Sequence, residues 1–188
     1  MLPVFWSAGA SGDQREALLK PIPVCYNFNC KSRANVSLTL SEWQTVTKGF
    51  SPAAVSAEQE REYIKEAIAR LEEFVGRHTP TWRDVGTNLP TTEGKRPSFP
   101  GQLDCIDESI NTTTYLQLLE RNGLLKYHVV SERAYRRSLF SQHWAGQIME
   151  NTNNQSFVID SWFYDNGEPP YIEPLETWAD LSIFSRLR

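Results

Sequence analysis

A cysteine, a histidine and an aspartate follow one another along the chain in segments able to hold them still. They lie in Asp104-Cys105-Ile106-Asp107-Glu108, in His143-Trp144, and in Phe157-Val158-Ile159-Asp160. A thiol attacks a carbonyl carbon only as thiolate, and a free cysteine has its pKa near about 8.5. The positive end of a helix dipole and an adjacent imidazole both favour the thiolate. The imidazole must reach the thiol, and a third group must orient the imidazole. Cys105 as nucleophile, His143 as general base and acid, and Asp160 as orienting acid fill those roles. The chemistry they imply is acyl transfer through a thioester.

The elements around these residues must bring them together. Asp104 is a candidate N-cap for a helix from Cys105 to Arg121, closed by Asn122-Gly123. The thiol would then sit at the positive end of that helix. Strands are expected over 124–130, 134–140, 143–150 and 157–163, with Asn151-Thr152-Asn153-Asn154 as a hairpin turn between the last two. A hairpin about that turn carries His143 and Asp160 toward each other, although a one-residue slip would turn either away. Earlier in the chain, Asn35 to Leu40 alternates like a strand, and Ser41-Glu42-Trp43-Gln44 has the form of a capping box for a short helix through Thr47. Ser56-Ala57-Glu58-Gln59 opens a longer helix to Arg77, with Ile64, Ile68, Leu71 and Val75 on one face. Residues 79–103 are rich in Pro, Gly and Thr, as a loop forming the wall of a site would be. Helices first and an antiparallel sheet after make an α+β layout. Residues 1–20 read as a polar lead-in or the remnant of a signal peptide, and 21–188 as one domain.

The neighbours of the triad have assigned readings too. Asp104, Asp107 and Glu108 place negative charge beside Cys105, which opposes the thiolate. Either they stabilise the first helical turn and face solvent, or they hold a hard cation such as calcium. The Cys105 N–H is a natural oxyanion donor, and Gln102 is a second candidate. Trp144 and Trp162 flank triad members and are read either as cleft walls or as core. His128 and His78 are structural, the first on a strand and the second at a helix C-terminus.

Composition narrows the classes. The net charge of −4 argues against a nucleic-acid partner, and the basic stretch Arg133, Arg136, Arg137 reads as a solvated face. No apolar run is long enough to span a bilayer. Cys25 and Cys30 are close enough in sequence to close a disulfide loop, leaving Cys105 as the odd thiol. That pair and the apolar start ending in Ala8-Gly9-Ala10 lean toward export. No G-x-S-x-G elbow, P-loop or dinucleotide fingerprint is present.

The block Asp104-Cys105-Ile106-Asp107-Glu108-Ser109, followed by Leu116-Gln117-Leu118-Leu119-Glu120-Arg121-Asn122-Gly123-Leu124-Leu125, resembles the cysteine helix of the transglutaminase-like superfamily. His143-Trp144-Ala145-Gly146-Gln147-Ile148-Met149 resembles its histidine strand, and Phe157 to Trp162 the strand ending in the triad aspartate. The likeness covers roughly residues 100–165 and is nearest to bacterial cysteine proteinases of that superfamily, some of them periplasmic and calcium-dependent. Ser161 and Ser109 depart from the pattern, which often has a proline and a small residue there. The resemblance implies a papain-like core and a cysteine peptidase or amidase acting on a protein or peptide, with no cofactor required. Transamidation, or an inactive domain that binds a partner, are the alternative expectations.

Overall fold

The computed structural model describes residues 20–87, 100–137 and 142–180. The expected lead-in at residues 1–19 and the middle of the 79–103 loop lie outside them. Strands β1 (Ile22–Tyr26) and β2 (Ser32–Val36) form an antiparallel pair. Helix α1 (Leu40–Thr47) and a 3-10 turn, Lys48–Phe50, lead to the long helix α2 (Ala57–Gly76). A 3-10 turn at Pro80–Arg83 precedes α3 (Cys105–Arg121). Strands β3 (His128–Val130), β4 (Ala134–Arg137), β5 (Gln142–Glu150), β6 (Ser156–Asp160) and β7 (Tyr171–Pro174) make the main antiparallel sheet, and a short helix α4 (Leu175–Asp180) follows. Mixed helix and antiparallel sheet is the α+β class expected.

The local reasons are legible in the sequence. Ser56 caps α2 by accepting the Gln59 N–H, and Ile64, Ile68, Leu71 and Val75 are all buried. The box at α1 is formed by Thr39 and Glu42, not by Ser41 and Gln44, because the helix begins at Leu40. The first sheet begins earlier than expected: its strands are β1 and β2, and residues 37–39 lead into the α1 cap. Strand β3 is the last three residues of the expected 124–130 strand, since 124–127 is the connection out of the Gly123 turn at φ +69°. The expected 157–163 strand ends at Asp160.

Strand β5 carries the organisation of the sheet. One edge pairs with β3 through residues 148–150 and with β4 through residues 142–145, and the other pairs with β6. Alternation splits its side chains between two layers. Ile148, with Phe157 and Ile159 of β6, joins the main core of Ile64, Ile68, Leu71, Leu116 and Leu119. Ala145 and Val158 face the opposite layer, with Ala134 and Trp178. Gly146 lets α3 lie close on β5: a Cβ there would sit 2.7 Å from the Thr112 methyl and 3.3 Å from the Ile159 carbonyl oxygen. Among the described residues no helix is long and apolar enough to cross a membrane.

Candidate active site

Cys105 is the first residue of α3. Asp104 caps the helix by accepting the N–H groups of Ile106 and Asp107, as expected. The far side of the cap comes from the β1–β2 connection. There Cys25 and Cys30 are joined in a disulfide, and Cys105 is the free thiol. Residues Asn27, Phe28, Asn29 and Cys30 all have φ between 54° and 69°. Successive backbone N–H groups of such a turn can converge on one side as an anion-binding nest. The anions are the helix's own acids: Asn29 N–H donates to Asp104 (2.9 Å) and Cys30 N–H to Asp107 (2.6 Å). Asn111 ties the same helix to β1, accepting from the Cys25 N–H and donating to its carbonyl.

The acids of the first turn therefore do not face solvent. Asp104, Asp107 and Glu108 are buried, and the first two accept backbone N–H groups of the nest. Burial pushes Asp107 up to about 6, reinforced by the Asp104 charge and opposed by the N–H donors. Burial raises Glu108 well above the carboxylate range, with Glu72, Asp84 and Asp107 adding to the rise. Glu72 of α2 is likewise pushed by burial to about 8, opposed by the Ser161 hydroxyl and the Gly167 N–H. Ser161 also meets Thr112 of α3 at 3.3 Å, so the serine that departs from the superfamily pattern is a buried polar link.

His143 and Asp160 meet as the hairpin predicts, His143 Nε2 lying 2.7 Å from Asp160 Oδ2, with both residues 1 % exposed. Gly146 pairs with Ile159, so extending the register by one step sets Asp160 opposite Ala145 and His143 diagonally across, on the same face. A second donor holds the carboxylate: Trp178 Nε1 donates to the same Oδ2 at 2.9 Å. Trp178 is fully buried on α4, and Arg136 stacks on its indole at 4.2 Å and donates to its carbonyl. Rings of Trp162, Phe163 and Trp178 surround the imidazole with centroids 4.9–5.7 Å away.

The thiol reaches β5 at its backbone, where the Trp144 N–H and the Cys105 N–H act on the sulfur. Among the described residues its hydrogen bonds do not include one to the imidazole. Asp160 occupies Nε2, which leaves Nδ1 as the nitrogen that can serve the sulfur. Burial raises the Cys105 thiol to about 11, the Asp104 and Asp160 charges add to the rise, and the two N–H groups oppose it. The helix N-terminus thus does not by itself yield a thiolate: desolvation and neighbouring carboxylates outweigh it.

No family model, curated protein or solved structure matches the chain.

The remaining candidates divide. Gln102 is buried and its amide donates to the Arg83 carbonyl at 2.6 Å, bracing the 3-10 turn against the loop before Cys105. Trp162 is core, against His143. Trp144 is half-buried, stacked between Tyr135 (4.5 Å) and Arg133 (4.7 Å), and lines a cleft. The stretch from Arg133 to Arg137 is therefore not merely a solvated face, since Arg133 and Arg136 each lie over an indole.

One residue of the candidate site was not foreseen. Trp178 had one usable signal: Pro174 followed by Leu175-Glu176 is a helix start, which would have drawn attention to the aromatic inside it. Trp144 lines a cleft, one of its two expected readings; the approach of its main-chain N–H to the sulfur is something side-chain types give no sign of.

Proposed function

We propose that the chain is a thiol-dependent hydrolase with a papain-like core, cleaving a peptide or carboxamide bond through Cys105, His143 and Asp160. The observation that carries this reading is the buried His143–Asp160 pair, held by Trp178, on the strand whose next N–H meets the one free thiol. With the thiol protonated at rest, activation is by general base rather than by a standing ion pair. His143 Nδ1 takes the thiol proton as sulfur bonds to the carbonyl carbon. The Cys105 and Trp144 N–H groups face the developing oxyanion. Collapse breaks the C–N bond, the amine leaves with the proton from His143, and a thioester remains. His143 then deprotonates a water that attacks the thioester, and the acid leaves as the thiol is restored.

In this reading no metal is needed, because backbone donors hold the Asp104 and Asp107 oxygens that calcium would require. The disulfide supports an exported, oxidising location. Transamidation would follow the same path with an amine in place of water. The high thiol pKa and the missing thiol–imidazole bond favour a second reading, an inactive domain of this fold that binds a partner. Incubation with p-nitrophenyl acetate followed by mass spectrometry separates the two. A p-nitrophenolate burst with acetyl on Cys105, abolished in His143→Ala, is expected. No acyl-enzyme up to pH 9 would leave the binding domain.

A further inference from the structure

A cleft of about 500 Å³ opens beside the proposed site, between α3 and the β3–β4 turn. Its walls include Thr113 and Gln117 of α3, Glu132 and Arg133 of the turn, and Trp144 of β5. Trp144 joins the cleft to the chemistry: its N–H acts on the Cys105 sulfur while its indole forms the cleft wall. Thr113 stands eight residues along α3 from Cys105, about 12 Å at the helical rise, so a substrate chain laid along α3 from the thiol brings a side chain to this cleft several residues away.

One wall carries an unmatched charge. The Arg133 guanidinium lies over the Trp144 ring at 4.7 Å, and its Nη1 donates to Ser109 Oγ at 3.0 Å, but no carboxylate partners it among the described residues. By contrast Arg61, Arg70 and Arg77 each pair with a glutamate. A stacked guanidinium keeps its planar edge free for a carboxylate. Thr113 Oγ1 is buried and has no hydrogen-bond partner. Glu132, exposed at the rim, sets a limit: it tolerates one negative charge next to Arg133 and repels a dianion or an acidic run.

We propose that this cleft is a specificity subsite for a single carboxylate-bearing side chain of the substrate, glutamate or aspartate, with Arg133 as its recognition group. The proposal rests on the hydrolase reading and assigns that enzyme its substrate class. Ser109 belongs to the same device, since it fixes the guanidinium on the catalytic helix.

The test is a positional-scanning set of N-acetylated, C-amidated hexapeptides carrying Glu, Gln or Lys, assayed by mass spectrometry with the full chain. Parallel peptides with Gln and a free C-terminal carboxylate distinguish a chain-end carboxylate from a side-chain one. At one position Glu should exceed Lys by about tenfold or more in kcat/KM, the scale of a charge-assisted contact. Arg133→Glu should reverse that order, and Arg133→Gln should abolish it. Turnover with no charge preference, with preference for the free chain end alone, or with a preference unchanged in Arg133→Glu overturns the subsite and leaves the triad standing. If no peptide is cleaved, calorimetric binding of the same peptides to Cys105→Ala decides. Glu-selective binding lost in Cys105→Ala/Arg133→Gln upholds the subsite while the hydrolase reading falls, and its absence overturns both.

Discussion

The molecule holds two buried histidine–carboxylate pairs, and they differ in what each histidine's second nitrogen faces. In one, His128 Nδ1 lies 2.9 Å from Glu60 Oε1, with both side chains fully buried. Its Nε2 meets the Arg61 guanidinium at 3.2 Å, and Arg61 in turn pairs with Glu150. Glu60 also accepts the N–H groups of Lys126, Tyr127 and His128, and the pairing with His128 together with those donors holds its pKa low despite burial. A guanidinium only donates hydrogen bonds, so Nε2 accepts from Arg61 and Nδ1–H faces Glu60. Every position around it is filled, and the pair clamps β3 to α2. In the other, Asp160 holds the Nε2 side of His143 and Trp178 holds Asp160, while Nδ1 is engaged by neither. The same two residue types make a clamp in one layer and a candidate base in the other.

Mutation can break this comparison. His143→Ala should lower acylation of Cys105 by about 10²–10⁴-fold, the usual contribution of a positioned base, while His128→Ala should leave the rate of the folded protein unchanged. An equal loss in both would remove the distinction. Glu60→Ala strands three backbone donors and a histidine, and chemical denaturation should show a stability loss of about 3 kcal/mol or more. Asp160→Ala should cost less stability than that and far more rate.

Smaller changes sharpen the comparison. Trp178→Phe removes one charge-assisted hydrogen bond to the Asp160 carboxylate and should reduce acylation by about tenfold or more at constant fold, since such a bond is worth roughly 1.5–3 kcal/mol. If the rate is unmoved, α4 only packs. The smallest effect concerns the buried acids. Glu72 is raised to about 8 in the folded chain, so it stays protonated there while the unfolded chain ionises from about 4.5 upward. Stability is therefore full below that unfolded value and falls as pH rises toward 8. Glu72→Gln mimics the protonated form and should raise Tm at pH 8 by on the order of 5 °C, with the gap closing near pH 4.5. A gap independent of pH would mean that Glu72 is ionised in the fold.

Some of this was local chemistry and some was not. The sequence by itself determined α2 and α3 with their caps, because Ser56, Asp104 and Gly123 act within a few residues of themselves. It also pointed to the β5–β6 hairpin about its short turn, but only the folded register set His143 and Asp160 on one face, since a one-residue slip would have turned either away. Strand β1 escaped because Pro23 interrupts it, a residue tolerated there opposite Asn35 in a two-stranded sheet. Helix α4 escaped because six residues carry no period. Tertiary structure alone decided the rest. The nest around Asp104 and Asp107 joins residues some 75 positions apart, and the third member of the His143 site arrives from α4. The thiol's pKa was decided there too. Composition places acids beside Cys105, but only folding fixes how much water they lose, and that desolvation turned an expected thiolate into a protonated thiol.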